Sequence, residues 1–233
     1  MGELILCSHP IAAMPYYIDN ISLNVYSLEE LCYYIENHLY LIEADFMSEE
    51  LCLWIGQELD EKDLAQSLRS VLLGNGSLSD FTELILRSCG YCSEDTIRHI
   101  RSVLLDMQNK SVFECSKIRG DRYMESEKYV KAIHEYRKLL GMEEECKKNP
   151  VLEGNIRHNL GTACAELFLF DEAAANFLNA YRLNRNRESL AACMAACSLA
   201  KKTDILKKYK EEFHVSDEAF KSMSDQWNSV LKS

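Results

Sequence analysis

Proline is scarce in this 233-residue chain, and one long stretch has none. Only 3 prolines occur, and none lies between Tyr16 and Asn149. Glycine is scarce as well, with 9 residues. Collagen-like and linker-like chains are rich in both residues, and proline breaks the interior of helices. The composition therefore excludes such chains and favours helices.

Long apolar runs and an early basic region are also missing. No stretch approaches the roughly 20 apolar residues that a membrane-spanning helix needs. No Lys or Arg precedes Lys62, so the start of the chain lacks the basic region of a secretory signal. The 10 cysteines lie mostly inside apolar helical patterns, as reduced thiols do. These features predict a cytoplasmic protein with no membrane role.

Negative charge is concentrated in the first half of the chain. Residues 1–112 carry 18 Asp and Glu against 6 Lys and Arg, whereas residues 113–233 carry 19 against 20. The net charge of −12 on the first half repels phosphate backbones and disfavours a nucleic-acid partner. The asymmetry predicts two domains, an acidic helical one over 1–112 and a second one over 113–233.

The first domain is predicted to be a bundle of about five short helices. Ile21, Leu23 and Val25 alternate with polar residues, which indicates a small β ribbon within residues 3–26. Helical spacing then dominates residues 28–110. The helices are separated by start and stop signals at Ser27, Ser48, Gly74-Asn75-Gly76, Ser79 or Asp80, and Ser93.

One spacing occurs twice in the second half: a glycine, an alanine 12 residues later and an aromatic residue four further on. The two groups are Gly120, Ala132 and Tyr136, and Gly161, Ala173 and Phe177. Two antiparallel helices approach closely only where small residues meet, and the aromatic side chain fills the gap toward the next pair. The spacing predicts two stacked helical hairpins.

These residues resemble the tetratricopeptide repeat (TPR), a helical hairpin of about 34 residues that stacks into a superhelix. Arg119 and Ser116 stand where the family usually has Leu and Trp. The resemblance covers about residues 113–213 and implies an all-α fold, with the N-terminal bundle packed on an array of hairpins. The signature residues are Gly120, Tyr123, Ala132, Tyr136, Leu160, Gly161, Ala173, Phe177 and Ala180.

The array is expected to depart from the family in length and at its end. The two glycines are 41 residues apart, seven more than the family period, and the excess is predicted around residues 143–150 as a longer second helix or a loop. A degenerate third hairpin is predicted at 188–213. A helix that begins near Ser216 is predicted to cap the array with Phe220, Met223, Trp227 and Leu231.

In the TPR family the inner face of the first helices binds peptides or partner proteins. The resemblance therefore implies a non-enzymatic adaptor that binds another protein or peptide. Some members hold a C-terminal carboxylate in a clamp, but Asp121 stands where that clamp needs Asn. The alternative for these polar residues is a solvated face without a ligand. The implied concave surface consists of Lys117, Asp121, Met124, Asn155, His158, Asn159, Thr162 and Glu166.

Few residues point to chemistry. Cys89 and Cys92 have C-x-x-C spacing, which we interpret as a helix end with two incidental cysteines; a zinc site or a redox pair is the alternative. Cys7 and His9 place a nucleophile near a base, so an enzyme with its site around them is the alternative function. No phosphate-binding glycine motif occurs. The sequence predicts no catalytic residue, no cofactor and no metal.

Overall fold

A computed structural model of the chain describes residues 9–221. The chain divides into two compact units, Met1–Ser111 (unit 1) and Val112–Ser233 (unit 2). Among the described residues, nearly all regular structure is helical, and the one sheet has two short strands. The predicted all-α fold with a small β ribbon is confirmed.

The ribbon of unit 1 is a short hairpin. Strand β1 (Tyr16–Ile18) pairs antiparallel with β2 (Leu23–Val25), and Tyr16 lies opposite Val25. Ile18 and Val25 are buried, whereas Tyr17 between them in the ladder is exposed, so the ribbon has one face in the core. The strands occupy only part of the predicted range 3–26.

Five α-helices follow in unit 1, as predicted. All but the third start at a serine whose side chain accepts a hydrogen bond from the first helical turn, whereas the third follows Glu61, which makes no side-chain cap. The fourth helix begins earlier than expected, because Ser77 and Asp80 exchange hydrogen bonds and form the cap in place of Ser79. Two short 3-10 helices, Leu39–Leu41 and Ala44–Phe46, lie between the first and second α-helices. The helices are α1 (Leu28–Asn37), α2 (Glu49–Gln57), α3 (Lys62–Leu73), α4 (Leu78–Cys89) and α5 (Glu94–Asn109).

The core of unit 1 forms around α1 and α4. Tyr34, Ile35 and Phe81 are fully buried there. The hydroxyl of Tyr34 keeps a polar partner, since it lies 2.7 Å from the side-chain nitrogen of Asn20. A buried tyrosine with its hydroxyl satisfied adds apolar area without the cost of an unpaired polar group.

Unit 2 contains three antiparallel helical hairpins. The short helix α8 accounts for the excess length predicted around 143–150. The third hairpin also lies where it was predicted. Residues 217–221 begin a further helix, but most of the predicted capping helix, including Met223, Trp227 and Leu231, lies outside the described residues. The helices are α6 (Val112–Glu125), α7 (Tyr129–Gly141), α8 (Glu143–Lys148), α9 (Pro150–Glu166), α10 (Phe170–Asn184), α11 (Arg187–Leu199) and α12 (Thr203–Glu212).

All three hairpins share one turn. In each, a residue with φ between 57° and 60° precedes the second helix; these are Glu127, Phe168 and Lys201. The next N–H then donates to a carbonyl five residues earlier, on Tyr123, Cys164 and Cys197, at 2.8–2.9 Å. When the hairpins are aligned on this turn, Met194 occupies the position of the two signature glycines. The third hairpin therefore lacks the glycine without losing the turn.

The signature glycines are required by a close approach within their own hairpins. A Cβ built on Gly120 would lie 2.8 Å from the ring of Tyr136, and one built on Gly161 would lie 2.8 Å from the ring of Phe177. Both rings are almost completely buried. The aromatic residue, expected to fill the gap toward the next pair, thus packs first against the glycine of its own hairpin.

The two departures from the TPR pattern have different surroundings. Ser116, where the family usually has Trp, is fully buried. Arg119, where it usually has Leu, extends toward Glu135 of α7, with 3.9 Å between the nearest nitrogen and oxygen. Both side chains of this pair are nearly nine-tenths buried. An ion pair thus replaces an apolar contact between α6 and α7.

We expect Gly161→Val to destabilise the protein by about 1–3 kcal/mol, because its side chain must displace the buried ring of Phe177. Urea unfolding followed by circular dichroism measures the change. Gly141→Val is the matched control, since a Cβ at Gly141 meets nothing within 4 Å. We expect this control to change stability by less than about 0.5 kcal/mol. Equal effects at both positions would contradict the close-approach argument.

Candidate functional site

The candidate site lies on the first helices of the first two hairpins in unit 2. Residues four apart share one face of a helix, so Lys117 and Asp121 lie together on α6, and Asn155 and Asn159 lie together on α9. His158 lies beside Asn159. We call these five residues the polar row. Asn155 is exposed and the other four are half-buried.

Asp121 is the centre of a network that joins three helices. One carboxylate oxygen lies 2.6 Å from the Lys117 ammonium. The other accepts hydrogen bonds from the hydroxyl of Tyr136 on α7 at 2.8 Å and from the side chain of Asn159 on α9 at 3.2 Å. Burial, together with the Asp121 carboxylate, raises the pKa of Tyr136. Tyr136 therefore keeps its proton and remains the donor.

A second set of contacts joins α9 to its other neighbours. The Nδ1 atom of His158 lies 3.0 Å from the hydroxyl of Ser189 on α11. The side chain of Asn184 on α10 donates to the side-chain carbonyl of Asn155 at 3.1 Å. The His158 ring also lies 5.2 Å from that of Phe177, and burial lowers the pKa of His158. Both ends of the row on α9 are thus held by other helices.

The remaining predicted surface residues do not join these networks. Thr162 donates to the main-chain carbonyl of His158 at 3.2 Å, so its hydroxyl bonds to its own helix. Met124 is half-buried and Glu166 is exposed. Partner binding at all eight positions stays a prediction.

Sequence reasoning missed the supporting residues Asn184 and Ser189. Tyr136 was assigned a structural role only, although its hydroxyl is the link between Asp121 and α7. A tyrosine at the aromatic signature position, where the second hairpin has Phe177, was the signal available in the sequence.

In unit 1 the structure gives His9 a partner that the sequence did not indicate. Its Nδ1 atom lies 2.9 Å from a carboxylate oxygen of Glu29, and its backbone N–H donates to the same oxygen at 3.1 Å. This hydrogen bond raises the pKa of His9. Cys7, the proposed nucleophile of the alternative enzyme, lies outside the described residues, so that alternative stays a prediction.

Comparison of the chain with protein-family models, with curated proteins and with solved structures gave no match. The resemblance to the tetratricopeptide repeat therefore rests on the residues themselves and stays a prediction. Among residues 9–221, no helix combines the length and the apolar character needed to cross a membrane.

We expect Tyr136→Phe to lower the free energy of unfolding by about 1–2 kcal/mol. Hydrogen bonds to charged groups contribute about 1.5–3 kcal/mol, and water reaches the partly exposed Asp121 to replace part of this one. Urea unfolding measures the loss. Tyr129→Phe is the control, because its hydroxyl makes no hydrogen bond within the part of the chain that the structure describes. A loss at both positions would argue against the network.

His158 predicts a pH dependence of stability. Its folded-state pKa lies below the unfolded value of about 6.5, so the unfolded chain binds more protons as the pH falls. The contribution of neutral His158 to the free energy of unfolding is complete above the unfolded pKa and is lost as the pH falls through the folded pKa. We expect the wild type to lose more stability between about pH 7 and 5 than His158→Gln does. Thermal unfolding over this range checks it, and parallel curves would contradict it.

Proposed function

We propose that the chain is a non-enzymatic adaptor that binds a partner protein or peptide through the polar row, on a concave TPR-like surface. The observation that carries the proposal is the Asp121 network, in which one carboxylate holds side chains of three helices in place. Side chains fixed before binding lose little conformational freedom on binding, which favours affinity.

The hairpin arrangement supports a binding surface. In unit 2, α7 packs against α9 and α10 packs against α11, so successive hairpins stack. All three hairpins have the same turn between their first and second helices. Stacked first helices of this kind form the extended surface that solenoid proteins use to bind partners.

The charges of the row argue against recognition of a C-terminal carboxylate. The ammonium of Lys117 already lies 2.6 Å from the Asp121 carboxylate, which compensates its charge. A second carboxylate placed there would be repelled by Asp121. The carboxylate clamp that the TPR resemblance would otherwise suggest is therefore not the binding mode that we propose.

The amides of the row suit the main chain of an extended peptide. The side-chain carbonyl of Asn155 accepts a hydrogen bond from the side chain of Asn184. The side-chain N–H groups of Asn155 therefore remain as donors. The side-chain N–H groups of Asn159 donate to Asp121 and to the hydroxyl of Tyr136, which leaves the side-chain carbonyl of Asn159 as an acceptor. A donor and an acceptor thus lie one helical turn apart, matching the C=O and N–H groups that a peptide backbone offers. We propose an internal peptide segment as the ligand.

The acidic unit 1 is proposed as a second docking surface for a basic partner. Residues 1–112 carry the net charge of −12 that would attract such a partner, and binding of this kind weakens as salt is added. A cytoplasmic location remains part of the proposal.

We expect the double variant Asn155→Arg/Asn159→Arg to lose a specific partner. Two arginines remove the donor–acceptor pair and fill the row with bulk and charge. Pull-down from native extract with quantitative mass spectrometry should show at least a roughly tenfold drop in that partner, equivalent to about 1.4 kcal/mol. Circular dichroism must first show unchanged helicity.

The matched control is Asn176→Arg/Asn179→Arg, which adds the same charge on the second helix of the same hairpin. We expect it to keep the partner. Loss in both double variants would indicate a nonspecific charge effect, and retention in both would remove the row from the binding surface.

A further inference from the structure

Three side chains with different ligand atoms converge in unit 1: the His9 imidazole, the Glu29 carboxylate and the Cys89 thiol. One ligand atom of each lies within 4.8 Å of those of the other two. Glu29 is 6% exposed and Cys89 is 9% exposed, whereas His9 is half-buried. We call these three residues the His9 cluster.

The cluster is assembled from distant parts of the sequence. His9 precedes the ribbon, Glu29 lies in the first turn of α1, and Cys89 is the last residue of α4. The packing of α1 against α4 brings the latter two together. Burial of a carboxylate beside a thiol and an imidazole costs free energy unless the groups pair with one another or with an ion.

Cys89 ends its helix at the edge of the cluster. Gly90 has φ 66°, a left-handed conformation that ends α4 directly after Cys89. The fully buried thiol of Cys32 on α1 donates to the main-chain carbonyl of Ile85 at 3.9 Å, so α1 and α4 pack closely one turn before Cys89. Thiolate is the form in which cysteine binds a metal.

The donors select among metals. Mg²⁺ and Ca²⁺ take oxygen ligands, so a site with one sulfur, one nitrogen and one oxygen suits neither. Zn²⁺ binds all three donor types, at about 2.0–2.3 Å, in tetrahedral sites. Donor atoms around such an ion lie about 3–4 Å apart, a spacing that the cluster reaches with small side-chain movements.

We propose that His9, Glu29 and Cys89 form a Zn²⁺ site. Two anionic ligands and one neutral imidazole balance the charge of the ion. With three protein ligands, the fourth position is taken by water.

A catalytic thiol is the competing role for the same residues, since cysteine, histidine and glutamate also occur together in nucleophilic sites. The burial of Cys89 favours the metal, because a nucleophile must be reached by its substrate. Thiol reactivity separates the two roles.

The test uses the full chain, purified without a polyhistidine tag, stripped with a chelator and titrated with Zn²⁺ and Co²⁺. We expect one equivalent of zinc per chain by elemental analysis, and a thiolate-to-cobalt charge-transfer band with Co²⁺. Competition with a coloured chelator gives the affinity. His9→Gln, Glu29→Gln and Cys89→Ser should each weaken zinc binding at least about tenfold.

The matched controls are Cys52→Ser, a buried thiol elsewhere in unit 1, and His99→Gln, an exposed histidine of α5. Both should bind zinc as the wild type does. Circular dichroism checks each apo variant, and the Co²⁺ band of the wild type reports sulfur ligation even if Cys89→Ser fails to fold. Absence of stoichiometric zinc, equal binding by His9→Gln, or rapid alkylation of Cys89 that zinc does not slow would each overturn the proposal.

Discussion

The contact between an aromatic ring and a glycine within one hairpin is the constraint on which unit 2 depends. Because Gly120 has no side chain, the ring of Tyr136 can lie directly against α6, and its hydroxyl then reaches the Asp121 carboxylate. The same contact in the second hairpin seats Phe177 on Gly161 and beside the ring of His158. Packing of apolar rings thus fixes the positions of the polar side chains above them. The polar row is ordered by the core beneath it.

Unit 1 obtains its order from helix starts and from one buried polar cluster. Serine caps set where α1, α2, α4 and α5 begin, and α1 and α4 bury Tyr34 and Phe81 between them. The same pairing of α1 with α4 places Glu29 beside Cys89. A cap-region glutamate, which at the surface would only complement the helix dipole, therefore becomes the partner of His9.

Predictions from local signals were the most accurate. Helix starts at Ser27, Ser48 and Ser93 and the turn at Gly74-Asn75-Gly76 depend on residues within a few positions, and all were confirmed. The cap of α4 was placed two residues late, because the reciprocal bonds of Ser77 and Asp80 compete with an equally plausible Ser79. The spacing of two glycines located the extra length near 143–150 and allowed a longer second helix or a loop, whereas the structure has the separate short helix α8.

The sequence by itself determined the all-α class, most of the helix starts and the repeated glycine–alanine–aromatic spacing of the hairpins, because propensity, caps and periodicity act within one or two helical turns. Only the tertiary structure decided which polar side chains meet. Asp121 and Asn159 are 38 positions apart, and His9 and Glu29 are 20 apart. Nothing local in the sequence relates such residues. Their contacts follow from how the helices pack, which is set by the summed burial of many apolar side chains.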